Sequence, residues 1–124
     1  MPKTIIDSIL DAAIDVFDQC TGMHLCSDEP TTRAEAVTTY QLASAVMTPD
    51  TDFTKADGGT SGRKVTTAVK NGVIVDNDGT GDHIAFTDGS NLLHVTTCTG
   101  QAVVANGSNV VNFPAYVLEF RDPT

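Results

Sequence analysis

The chain has 124 residues and a mass of 13.0 kDa, enough for one domain that buries roughly two-thirds of its unfolded surface, so folding requires neither disulfides nor a metal. With 40% hydrophobic and 19% charged residues the composition is that of a globular protein, not a disordered one. A net charge of −9 and a pI near 4.4 repel a phosphate backbone, which argues against nucleic acid as a direct partner, and the chain lacks the roughly 18 consecutive apolar residues that a membrane span requires.

The first predicted element is a helix over residues 4–20. Ile5, Ile6, Ile9, Leu10, Ala13, Ile14 and Phe17 recur at helical spacing, and Asp7, Asp11, Asp15 and Asp18 gather on another face, which reads as solvated. Thr4 is placed to cap the first turn and Gly22 to let the chain leave. The aspartates also interrupt the apolar run of "MPKTIIDSILDAAIDVF", so no secretory leader is expected. A reducing cytoplasm follows as the site of synthesis, with Cys20, Cys26 and Cys98 as buried thiols.

From residue 23 to 122 the texture is β-type. "MHLCS" (23–27) reads as a strand, "TTRAEA" as one helical turn with Thr32 and Glu35 at capping-box spacing, and "TTYQLASAVM" (38–47) as a strand. Beyond it "RKVTTAV", "GVIVD", "HIAFT", "LLHVTTC", "QAVVA" and "AYVLEF" are separated by "DGGTSG", Asn71-Gly72, "DNDGTGD", "DGSN" and Asn106-Gly107. Short β-branched runs divided by Asp-Gly and Asn-Gly signals predict serial antiparallel hairpins. The expected fold is mainly β (α+β), an antiparallel β-sandwich or small barrel with one N-terminal amphipathic helix, in a single domain over residues 1–124.

Four motifs carry possible chemistry. In "DNDGTGDH" (76–83), Asp76, Asp78 and Asp82 suggest a weak calcium loop, with Asp76 and Asp78 at the first and third positions and Gly81 at the sixth. The twelfth position is Thr87 where a bidentate Glu is needed, and strand-like segments flank the loop, so a hairpin tip explains the composition better. "DGGTSGRK" (57–64) fails the phosphate-loop pattern, since Gly58 and Gly62 enclose only three residues and a strand follows. Cys20, His24, Cys26 and Cys98 lack a zinc-knuckle spacing, and Ser61, His83 and His94 are not placed together by any catalytic signature. Arg63, Lys64 and Lys70 form the nearest approach to a basic cluster. No enzyme, cofactor or metal is expected.

"FTKADGGTSGRKV" (53–65), "LLHVTTCTGQ" (92–101) and "FPAYVLEFRDP" (113–123), with a short helix leading into "HLCSDEP", resemble small virion structural proteins of tailed bacteriophages. The resemblance implies a β-rich capsid decoration or cement protein, made in the host cytoplasm and carried on the virion. It would bind the major capsid protein or other virion proteins and assemble as a homo-oligomer. The alternative within that group is a collar or tail component that meets the host surface through the loops 76–82 and 88–91. No site residues are implied.

Overall fold

The computed structural model describes residues 6–59, 62–105 and 109–121. Among these, the elements in chain order are helix α1 (Asp7–Phe17), strand β1 (Gly22–Cys26), a π-helical turn (Glu35–Thr39), and strands β2 (Gln41–Val46), β3 (Phe53–Asp57), β4 (Arg63–Thr67), β5 (Lys70–Ile74), β6 (Gly79–Thr87), β7 (Leu92–Val103), β8 (Val110–Phe113) and β9 (Val117–Phe120). The fold is mainly β with one short N-terminal helix, and all strand pairs are antiparallel. The strands form a four-stranded sheet ordered β2-β1-β6-β7, a three-stranded sheet ordered β3-β4-β9 and a two-stranded sheet β5-β8.

One hydrophobic cluster draws on every sheet and on the helix. Met23, Leu25, Ile84 and Phe86 come from the largest sheet, Phe53 and Val65 from the second, Val111 and Phe113 from the third, and Ile14 and Phe17 from α1. Strand β1 is buried along its whole length because both its faces are covered. Met23 and Leu25 enter the main cluster, while Cys26 joins Ala36 and Ala85 in a second one on the other face, beneath the π-helical turn. Gly81 is required by this packing, since a Cβ there would lie 2.4 Å from Leu25 Cγ. The expected capping spacing is used at the turn: Thr32 Oγ1 accepts from the Glu35 amide, and Glu35 Oε1 accepts from the amide and hydroxyl of Thr31.

Two of the predicted hairpins form. "DGGTSG" joins β3 to β4, with Gly62 at φ 75° and the Gly58 amide donating to the Gly62 carbonyl, and "DGSN" joins β6 to β7. The other turn signals behave differently. Asn71-Gly72 is an irregularity inside β5, whose partner is β8. "DNDGTGDH" is not a hairpin tip, because β5 and β6 lie in different sheets; residues 75–78 carry the chain between them and residues 79–83 already belong to β6. "QAVVA" continues β7 instead of forming a strand of its own, and Asn106-Gly107 falls outside the described residues. Composition marks where a chain can turn, while the choice of strand partner comes from the core each strand must cover.

The helix corrects the sequence reading most. It starts after Ile6, which caps in an extended conformation without a side-chain bond, and it ends at Phe17; Gly22 begins β1, and Thr4 lies outside the described residues. Leu10, Ile14 and Phe17 are buried, but Ile6, Ile9 and Val16 are exposed. Asp11, Asp15 and Asp18 lie toward the three-stranded sheet, while Asp7 is exposed. Arg63 Nε donates to Asp11 Oδ1 at 2.9 Å and Lys55 pairs with Asp15, while Asp18 is 2% exposed. At 100° per residue, the buried Leu10, Ile14 and Phe17 lie roughly 50° from the centre of the apolar arc. Drawing three carboxylates toward Lys55 and Arg63 leaves half of the apolar arc in water. Ile9→Asp should therefore change stability by less than about 1 kcal/mol, whereas Phe17→Ala should cost about 3–5 kcal/mol. Urea unfolding of the two variants checks the rotation.

Candidate functional site

The carboxylates of the suspected calcium loop are held apart. Asp76 Oδ2 accepts from Gln41 Nε2 at 3.1 Å, and Asp78 Oδ1 accepts from the Ala105 amide at 2.7 Å. Asp82 lies within β6 and bonds its neighbour His83 at 2.7 Å. Each carboxylate answers a different donor, and the described residues bring no three of His, Cys, Asp or Glu into a metal-binding group. The stretch instead straps β2, because the amides of Asp76 and Asn77 both donate to the Leu42 carbonyl and Asn77 Nδ2 donates to the Gln41 carbonyl.

The cysteines are equally dispersed. Cys20 Sγ donates to the Gly22 carbonyl at 3.2 Å, Cys26 lies under the π-helical turn, and Cys98 sits half-buried on β7. Burial pushes the Cys20 thiol up to about 11 and the Cys26 thiol up to about 12, so both are protonated and inert at neutral pH. The basic cluster divides as well: Arg63 pairs with Asp11 and Asp57, while Lys70 pairs with Asp52. Ser61 lies outside the described residues.

A polar chain that the sequence did not announce runs from the strap through the largest sheet. Gln41 Nε2 donates to Asp76, so Gln41 Oε1 must accept from His24 Nδ1, 2.9 Å away. That fixes the neutral tautomer of His24, whose Nε2 then accepts from the Thr87 hydroxyl at 2.9 Å. Hydroxyl, imidazole and orienting amide stand in the order of a nucleophile, its base and its orienter. Thr87, however, is 2% exposed, which denies a substrate any approach, so the chain ties β1, β2 and β6 together. Register alone could have hinted at it, since His24 pairs with Ala85 two residues from Thr87.

His94 stacks on Phe86 at 6.0 Å between ring centres and borders a cleft with Phe17, Thr67, Thr96 and Tyr116. Its volume of about 40 Å³ holds a few waters and no substrate-sized molecule.

The larger concavity lies where two sheet edges part. Strand β2 is the outer strand of the four-stranded sheet and β5 belongs to the two-stranded one; Val75, just past the end of β5, makes an antiparallel bridge with Ala43 of β2. From that joint they diverge and enclose an open groove of about 530 Å³. Val46, Val69 and Ile74 line it and are 81%, 53% and 59% exposed. The groove is mixed in character, with Ser44, Lys70, Asn71 and Asp76 beside the apolar side chains, and a polypeptide segment could pair its backbone with an edge while its side chains cover the valines.

Comparison with protein families, with curated proteins and with solved structures returned no significant match. No helix among the described residues is long and apolar enough to cross a membrane.

Two tests follow from the buried ionisable groups. Desolvation holds His24 and His94 below their ordinary value of 6.5, so below that pH the unfolded chain binds more protons than the folded one. Their contribution is present above pH 6.5 and is lost as pH falls through the lowered values. The urea midpoint should drop from pH 7 toward pH 5, and His24→Gln should reduce the drop. Asp18 acts with the opposite sign. Desolvation raises its pKa above 3.8, its Oδ1 has no hydrogen-bond partner, and its carboxylate closes the negative end of α1. The ionised form therefore costs stability at neutral pH, and the cost disappears on acidification. Asp18→Asn should gain on the order of 1 kcal/mol at pH 7, a gain that shrinks as pH is lowered.

Proposed function

We propose that this chain is a structural protein of a tailed-phage particle, a decoration or cement protein that binds the outer shell and stabilises it. The sequence resemblance supplies the setting, and the observation that carries the binding role is the groove between β2 and β5. Exposed valine and isoleucine side chains beside strand edges are costly on a free monomer and useful only where another polypeptide covers them. The shell protein is the first partner to consider, through an extended segment laid between the two edges. On this reading the protein is not an enzyme and takes no cofactor.

Purified particles lacking this protein should rupture at a higher temperature once it is added to saturation. Val46→Asp should fold normally yet fail to raise the rupture temperature. An unchanged rupture temperature with bound wild-type protein would overturn the cement role.

The β6–β7 loop favours a second reading, a collar or tail component. Asp88 Oδ1 accepts from the amides of Ser90 and Asn91 while Arg33 Nε donates to the Asp88 carbonyl, so the loop is a preformed surface fit for recognition. A gold-tagged antibody on intact particles separates the two: label over the shell supports decoration, and label at the neck or tail supports the second reading.

A further inference from the structure

We propose that Asn71 is a self-modification site: the backbone nitrogen of Gly72 converts it to aspartate or isoaspartate, and this alters the groove that Asn71 lines. Every other asparagine among the described residues is tied down. Asn77 Nδ2 donates to the Gln41 carbonyl, Asn91 Nδ2 donates to Asp88 Oδ2, Asn109 Oδ1 accepts from the Val104 amide and Asn112 Oδ1 accepts from the Gly72 amide. Asn71 is exposed, its side chain has no hydrogen-bond partner among the described residues, and of these asparagines it alone precedes a glycine.

The backbone leaves the reaction open. Gly72 sits at φ 70°, and apart from its chain neighbours no atom lies within 4 Å of the position a Cβ would take. Residues 71 and 72 fall where the register of β5 against β8 shifts, between the pairs Lys70–Phe113 and Val73–Val111, so the ladder does not hold them. The restraint that remains is the 2.9 Å bond from the Gly72 amide to Asn112 Oδ1, which must break before the nitrogen can attack. Asn112 is thus a brake on the reaction.

In the first step the Gly72 nitrogen bonds to Asn71 Cγ and closes a cyclic imide. The Cγ–Nδ2 bond breaks, and Nδ2 leaves as ammonia with the proton that the Gly72 amide gives up. Water then opens the ring. Cleavage between Cγ and the nitrogen yields aspartate, whereas cleavage at the main-chain carbonyl yields isoaspartate, whose main chain is longer by one methylene. The net reaction is asparagine plus water to carboxylate plus ammonium, and no other reactant is needed. Either product places a new negative charge beside the exposed Asp76, on a chain that already carries −9. Isoaspartate also displaces Val73 and Ile74 from their partners Val111 and Val110, and both side chains line the groove. Newly made and aged protein therefore present different grooves.

The chemistry stands by itself; its effect on docking rests on the role proposed for the groove. Mass spectrometry of the folded protein, stored for weeks at physiological temperature, should show an amide-to-acid mass gain confined to the peptide that holds Asn71, with Asn77 and Asn91 intact. Asn71→Gln should abolish the gain, since closure would need a larger ring. Asn112→Ala should speed it by about two- to tenfold, the factor represented by a neutral hydrogen bond of ordinary strength. Asn71 and Asn112 are both exposed, so the two variants should melt close to wild type. Folded protein that keeps Asn71 intact while a synthetic Lys-Asn-Gly-Val-Ile peptide converts would overturn the proposal, as would equal conversion at Asn77 or Asn91. Binding to particles is scored separately. Fresh protein that fails to bind refutes the docking role and leaves the modification standing, whereas aged protein that binds as well as fresh protein overturns the effect on the groove.

Discussion

Phe17 is the joint on which the rest of the structure depends. Its ring meets Phe53 of the three-stranded sheet at 5.4 Å and Phe86 of the four-stranded sheet at 5.2 Å, both edge to face. Phe86 in turn meets Tyr116 at 5.9 Å and stacks with His94. One helical side chain thereby closes the gap between two sheets that share no strand pairing. Edge-to-face pairs add about 0.5–1.5 kcal/mol each beyond the area they bury, so this cluster is stiff as well as apolar.

The position of Phe17 limits where the aspartates of α1 can go. Once the ring is seated between the sheets, Asp11, Asp15 and Asp18 are carried over Lys55 and Arg63, which β3 and β4 present to them. Exposed ion pairs are individually weak, and these do not hold the fold by themselves. They do remove the alternative orientation, in which Lys55 and Arg63 would face an apolar helix surface. The same constraint brings Asp18 into a dry position, where its charge is a cost, and leaves Ile9 and Val16 in water.

The molecule therefore has two unlike surfaces. The groove between β2 and β5 results from a topology in which β5 pairs with the distant β8, so that two sheet edges meet at a single bridge and diverge. The exposed Ile6, Ile9 and Val16 of α1 result from the seating of Phe17, which turns the aspartates toward Lys55 and Arg63. Between them, the strap from Asp76 to Asn77 and the His24 chain fix β2 in place, so the groove edge is rigid.

Much of this was legible in the residues. The β-branched runs, the Asp-Gly and Gly-rich punctuation and the helical period determined the mainly β class, the N-terminal helix, the capping turn at Thr32 and Glu35, and two hairpins, because each depends on neighbours within a few positions. Four features depended on residues brought from far along the chain. The partner of β5 lies 36 to 43 positions away at Phe113 to Val110, the partners of the helix acids sit on β3 and β4, the hydroxyl beside His24 comes from Thr87, and Asp76 and Asp78 of "DNDGTGDH" are claimed by Gln41 and Ala105. Local pattern states that a helix has an apolar arc and an acidic one. Only the tertiary structure decides which arc turns inward, because that choice is made by the charges and rings waiting on the other strands.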